Sequence, residues 1–217
     1  MSRLCHTLKF AVAFACIMHW QTVTHAHEPT IACEVWNKLP STHLVSRHCD
    51  VLRPQRIVIV TTQDRQDRLK EQQAFVQSLA HHLGRGRKFD VIVSRDPMCC
   101  DRLPMRQGTF DELQLLQISQ KYRADCVLYC NLESMSAYAP MQAEMSMLLV
   151  NVAESIALVS AKCNYDMRDV DTKQEYLDYV QQPSSDAESA LNVSDHTPSQ
   201  FIDFAAYHFA TGILSVW

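Results

Sequence analysis

Cysteine and histidine are the side chains in this sequence best suited to chemistry, and their spacing decides what that chemistry could be. Nine cysteines occur: Cys5, Cys16, Cys33, Cys49, Cys99, Cys100, Cys126, Cys130 and Cys163. Cys99 and Cys100 are adjacent, between Pro97 and Pro104, with Arg102 and Arg106 close by. Guanidinium groups lower a thiol's pKa, so the loop 95–107 is where a reactive thiolate would sit. Cys126 and Cys130 fall four apart in an apolar run, which on a strand puts both on one face. Cys163 lies on a second strand-like run. Cys33 and Cys49 flank a short segment and could staple it. A metal or redox centre would need these thiols to converge. No CxxC occurs, however, and the zinc-ligand spacings are absent. Disulfides and inert buried thiols are the competing readings.

The histidines divide in the same way. His43 and His48 lie near Cys49 and, with Cys33, could form a small Cys/His site, although the spacing matches no zinc framework. His81 and His82 sit near a helix end, where the helix dipole favours them. His208 falls on an apolar helix and reads as a satisfied semi-buried residue. No GxSxG, HExxH, phosphate-binding loop or GxGxxG occurs. Asp64 and Asp67 follow a strand, where α/β folds often place binding groups, but helix capping by Asp64 explains them better. Asp125 precedes a strand, so it belongs at the opposite end of the sheet. No cofactor and no metal is expected.

The N-terminus gives an address. Arg3 and Lys9 precede the apolar stretch Phe10 to Met18, too short to span a bilayer. This is the layout of a secretory signal over residues 1–26, with Thr24 and Ala26 at the peptidase positions and cleavage before His27. Lipidation at Cys16, after Ala13-Phe14-Ala15, is the alternative. Formal net charge is −4. Removing residues 1–26 takes away two bases and no acids, which leaves 18 bases against 24 acids, net −6. Such a chain has no basic field for nucleic acid. Contact with a membrane is expected only through lipidation or an uncleaved signal.

The elements that position these residues follow from periodicity. Residues 27–54, with Pro29, Pro40 and Pro54, read as an irregular arm carrying a short helix near Ile31–Trp36. Residues 55–217 read as one α/β domain. The β-branched run Arg56 to Thr62 predicts a buried strand, and Phe89 to Ser94 a second. Cys126 to Leu132 is a third. Gln142–Val152 and Ser155–Tyr165 read as a hairpin. Helices are predicted over Asp64 to Leu83, ended by Gly84 and Gly86, and from a Thr109/Glu112 capping box to about Arg123. Two more follow, over Thr172–Val180 and Gln200–Val216, separated by a polar loop at 181–199. The sum is α/β (α+β): a mixed five-stranded sheet in the order βαβαβββαα, with helices packed on it.

Several of these strings resemble the exported α/β domain shared by three groups: curli-secretion-channel (CsgG-like) proteins, the N-terminal domain of TolB, and the outer-membrane lipoprotein activators of peptidoglycan synthases. The similar strings are the Arg-led strand Arg56 to Val60, the F-[DE]-V-[IV] strand Phe89 to Val93, and Ala124 to Cys130 against ADxVLxG. The resemblance covers residues 55–168. Cys130 stands where that group has glycine, and Ala153-Glu154-Ser155 replaces its D-x-x-T-G turn. The two C-terminal helices have no counterpart in it. The resemblance implies an assembly, adaptor or regulatory role in the envelope, without catalysis. No pair of long amphipathic hairpins is present for a channel.

Charge is segregated along the chain. Arg65, Arg68, Lys70, Arg85 and Arg87 form a basic stretch, and nine acids lie between Asp166 and Asp203. These bases, with an aromatic left over at Trp217, are the candidate surface for a partner or a second copy. The expected function is an exported, periplasmic or envelope-associated, non-enzymatic module that binds an envelope protein or itself. The alternative is a small thiol-dependent enzyme, or a ligand- or metal-binding protein, working at the loop 95–107.

Overall fold

A computed structural model describes residues 41–61, 69–94, 112–181 and 197–217. Its centre is the run RIVIVT, strand β2 (Arg56–Thr61), whose four middle residues are buried. Ile57 and Ile59 point into one apolar layer and Val58 and Val60 into another, as a strand covered on both faces requires. Strands β3 (Asp90–Val93) and β4 (Cys126–Ser136) flank β2 in parallel. Strands β5 (Gln142–Asn151) and β6 (Ile156–Asp166) continue from β4 as antiparallel neighbours, and β1 (Ser41–Val45) closes that side. The sheet order is β1-β6-β5-β4-β2-β3.

The sheet therefore has six strands where the sequence suggested five. The added strand, β1, comes from the stretch read as an irregular arm. Its residues, STHLV, carry only the weak alternation of a half-covered edge strand. Pairing with β6 defines it, from Ser41 opposite Cys163 to Val45 opposite Val159. Strand β4 runs four residues past its expected end because β5 pairs along its whole length, with a register shift between Leu132 and Ser134.

Two crossovers set the layers. Helix α1 (Leu69–Arg85) links β2 to its neighbour β3, and α2 (Glu112–Tyr122) precedes β4 on the far side of β2. The two crossovers run in opposite directions, so a common right-handed sense sends their helices to opposite faces. Phe75, Leu79 and Leu83 of α1 join Ile57 and Ile59, whereas Leu115 and Ile118 of α2 join Val58 and Val60. Helices α3 (Val170–Gln181) and α4 (Pro198–Ser215) pack on the α1 side.

Helix α4 is the hub of that layer. Phe201, Phe204, Ala205, His208, Phe209 and Ile213 are all buried, as befits a helix that is apolar around most of its circumference. Its start is fixed by a capping box in which Thr197 and Gln200 exchange backbone-to-side-chain bonds of 3.3 Å, with Pro198 at the first turn. Phe209 meets Phe75 and Tyr165 edge-on, at 6.0 and 6.2 Å between ring centroids. His208 is satisfied as expected, with Nδ1 3.0 Å from the Tyr165 hydroxyl.

The glycines act differently from the sequence reading. Helix α1 passes through Gly84, and the left-handed residue beyond it is Arg87, at φ 51°. Gly86 makes a close approach to α4, since a Cβ there would come within 2.5 Å of Leu214 Cδ2 and displace the end of that side chain. Beside this contact Lys88 Nζ donates to the Leu214 carbonyl at 2.7 Å and helps cap the C-terminal end of α4. At the amino-terminal ends of the parallel strands Asp125 accepts from the Gln55 and Arg56 amides, at 2.8 and 2.7 Å. It ties the starts of β2 and β4 together, so its role is structural.

Candidate functional site

Open α/β sheets take ligands at the carboxyl ends of their strands, where connections leave in opposite directions. Here that crevice lies between β2 and β4. The last matched pair is Thr61 with Cys130, and β4 runs on beyond it paired with β5. The exposed edge of β4 is closed by a side chain. Gln72 of α1 is buried, its Nε2 donates to the Cys130 carbonyl at 3.2 Å, and its Oε1 accepts from the Leu132 amide at 2.7 Å. One side-chain amide thus stands in for the next residue of β2. The sequence carried a signal for this, since Gln72 falls on the same helical stripe as Phe75, Val76, Leu79 and Leu83. Asp64 and Asp67, expected after β2, lie outside the described residues.

The thiols divide into two sets. Cys49, Cys126, Cys130 and Cys163 are free and buried. Cys5, Cys16, Cys33, Cys99 and Cys100 lie outside the described residues, as do the cleavage positions Ala26 and His27. Cys126 and Cys130, four apart on one strand, are separated by about 13 Å, and Cys163 lies two strands away, about 10 Å across the sheet, displaced along it from both. A disulfide needs Cα atoms within about 7 Å, so these three cannot pair with one another. Burial pushes the Cys49 thiol up to about 11. Burial, aided at Cys126 by the nearby Asp125 charge, pushes Cys126, Cys130 and Cys163 up to about 12. At pH 8 a thiol with that pKa is ionised in about one molecule in ten thousand, so these groups are poor nucleophiles. A thiol reagent at pH 8 should therefore leave all four unmodified in the native protein and label all four in denaturant, as read by peptide mass spectrometry. Among the described residues no group of three or more His, Cys, Asp and Glu could hold a metal ion.

A different cluster, not foreseen from sequence, joins three helices. Asp203 of α4 accepts from Ser78 and from His82 of α1 at Oδ1, the latter at 3.0 Å, and from the Tyr179 hydroxyl of α3 at Oδ2. Tyr207, one turn along α4, stacks at a tilt on Tyr179 with centroids 4.9 Å apart and meets His82 edge-on at 5.5 Å. Two signals were present in the sequence: an acid inside the apolar run FIDFAAYHFA, and Ser78 and His82 one turn apart.

Serine, histidine and aspartate in contact invite comparison with a hydrolase triad. In a working relay the imidazole stands between the other two, taking the hydroxyl proton at one nitrogen and donating to the carboxylate from the other. Here Ser78 donates straight to the carboxylate, and His82 meets the same oxygen. The imidazole is not interposed and the serine is not activated, so the cluster works as a three-helix staple.

Burial opposes ionisation of Asp203, but hydrogen bonds from His82, Ser78 and Tyr179 prevail and hold its carboxyl well below the usual carboxylate range. Burial and the Asp203 bond push the Tyr179 phenol above its ordinary value. Because Asp203 titrates lower folded than unfolded, its contribution to stability is complete above the unfolded value of about 3.9 and fades as pH falls below it. Urea midpoints should therefore decline on acidification below about pH 4, and Asp203→Asn should remove part of that decline.

The candidate partner surface is only partly free. Lys70, Arg85 and Arg87 are exposed, and Arg65 and Arg68 lie outside the described residues. Trp217 is engaged within the chain: its indole N–H donates to the Cys49 carbonyl at 2.8 Å and its ring meets Phe89 edge-on. No helix among the described residues is long and apolar enough to cross a membrane.

No known protein family and no curated protein matches the sequence. Solved structures give distant likenesses. The PelC dodecamer from Paraburkholderia phytofirmans is 12% identical, over 62% of this chain and 86% of that one, with a TM-score of 0.41. Lipoprotein GNA1162 from Neisseria meningitidis is 13% identical, over 54% and 86%, at 0.35. The hypothetical protein CT253 from Chlamydia trachomatis is 10% identical, over 74% and 96%, at 0.39. None of these three bears the name of the groups that the sequence resembles. With no family shown, the chain is described by its architecture: a mixed six-stranded α/β sheet with helices on both faces.

Proposed function

We propose that this chain is an exported, non-enzymatic module of the cell envelope that acts by binding a partner protein or a second copy of itself. The observation that supports this most directly is Gln72. The crevice where such a sheet would take a small ligand is filled by a buried side-chain amide bonded to both neighbouring backbone groups. Among the described residues the thiols are buried and Ser78 is bonded to Asp203. What stays available is surface, including the basic group Lys70, Arg85 and Arg87.

Crosslinking in intact cells, followed by mass spectrometry of the envelope fraction, tests the reading. One dominant envelope protein, or a crosslinked dimer, should be recovered with the wild-type chain and reduced in a Lys70→Glu, Arg87→Glu double variant. Recovery of monomer alone from the soluble fraction overturns the reading and moves attention to the loop 95–107.

A further inference from the structure

A carboxylate offers about four acceptor positions. At Asp203 two on Oδ1 go to Ser78 and His82, and among the described residues one on Oδ2 goes to Tyr179. The Asp203 side chain nevertheless keeps 44% of its surface exposed. The side chain, with one acceptor position on Oδ2 not taken among the described residues, is therefore within reach of solvent. Three donors from two helices fix the carboxylate in place, so a ligand meeting it bears little of the ordering cost that a loose surface acid imposes. Tyr179 and Tyr207 stand beside it, both half-buried, with their rings stacked at a tilt. An oriented anion next to tyrosine rings is the kind of surface on which one side chain of a partner can dominate binding.

We propose that Asp203, Tyr179 and Tyr207 form a seat for an arginine side chain of a partner protein. This rests on the partner-binding reading above. A planar guanidinium can donate one N–H to Oδ2 while lying against a tyrosine ring, which a compact ammonium does less well. The groups around the seat are defined. Ser78, His81, His82 and Arg85 face it from α1, Tyr179 from α3, and Tyr207 from α4 beside Asp203. Arg85 is the opposing charge, close enough to act on Tyr179. It lowers the affinity of the seat for a second cation, and removing it should raise that affinity.

The test is a nuclear magnetic resonance titration of the whole mature protein with Nα-acetyl-arginine amide, with Nα-acetyl-citrulline amide as the neutral isostere. Saturable shifts of the Tyr179 and Tyr207 ring signals are expected with the arginine probe, at a dissociation constant on the order of millimolar. None is expected with citrulline. Tyr207→Leu should weaken binding about fivefold. Asp203→Asn should abolish it. Arg85→Gln, an exposed change that leaves the staple intact, should tighten it and so serves if Asp203→Asn does not fold. Absence of saturable shifts, equal response to citrulline, or Arg85→Gln binding no more tightly overturns the proposal. Partner capture that survives Tyr207→Leu and Arg85→Gln unchanged removes this seat and leaves the module reading standing. Loss of capture in every background, wild type included, removes the module reading instead.

Discussion

Phe209→Ala should destabilise the fold by about 3–5 kcal/mol, the range for deleting a fully buried aromatic ring. Phe209 is buried where α4 meets both α1 and the sheet, with Phe75 on one side and Tyr165 on the other. Removing the ring takes away a large apolar surface and two edge-to-face contacts together. The surrounding wall cannot easily collapse, because β6 holds Tyr165 in register and Tyr165 is itself bonded to His208. Urea unfolding measures the effect: the midpoint should fall while the slope stays constant. Tyr138→Ala is the control. At 86% exposed, Tyr138 should cost no more than about 0.5 kcal/mol. A loss below about 1.5 kcal/mol at Phe209 would mean that the aromatic layer repacks, and that α4 is less central than its burial indicates.

Gln72→Leu should cost about 2–4 kcal/mol, through polarity and not through volume. Leucine fills much the same space on an apolar stripe, so a view based on size alone predicts little change. The side-chain amide, however, holds the Cys130 carbonyl and the Leu132 amide, and both lie on a buried part of β4. Each buried group left without a partner costs about 1–3 kcal/mol. Hydrogen exchange localises the effect: the Leu132 amide should lose protection, while amides of the β4–β5 ladder nearer Cys126 keep theirs. Unchanged protection at Leu132 would mean that another donor and acceptor close the gap.

Much of the architecture was legible in the sequence because apolar periodicity is a local signal. The β2 run and the apolar faces of α1 and α4 could be read residue by residue. Strand β1 could not, since five residues of mild alternation become a strand only when β6 lies beside them. The far end of β4 was missed for the same reason, its pairing with β5 being non-local. The thiols illustrate the limits at the candidate site. Counting them was simple, but that Cys126, Cys130 and Cys163 are core side chains depended on which face of the sheet is covered. The Asp203 cluster is the larger omission. Its four side chains come from positions 78, 82, 179 and 203, and no spacing rule connects residues that far apart. Trp217 seemed spare for want of any partner in sequence, yet its partner is the carbonyl of Cys49.

Helix α4 follows every other described element in chain order, yet it occupies the middle of the larger apolar layer. Until it arrives, the inward faces of β4, β5 and β6 have little to cover them, and the aromatic layer around Phe204 and Phe209 cannot assemble. Folding of the domain is thus tied to the delivery of α4, not to the gradual emergence of the sheet. Until α4 is made, the described elements before it lack the side chains that close their aromatic layer. The same delay leaves a half-built sheet dependent on whatever holds aggregation off in the meantime.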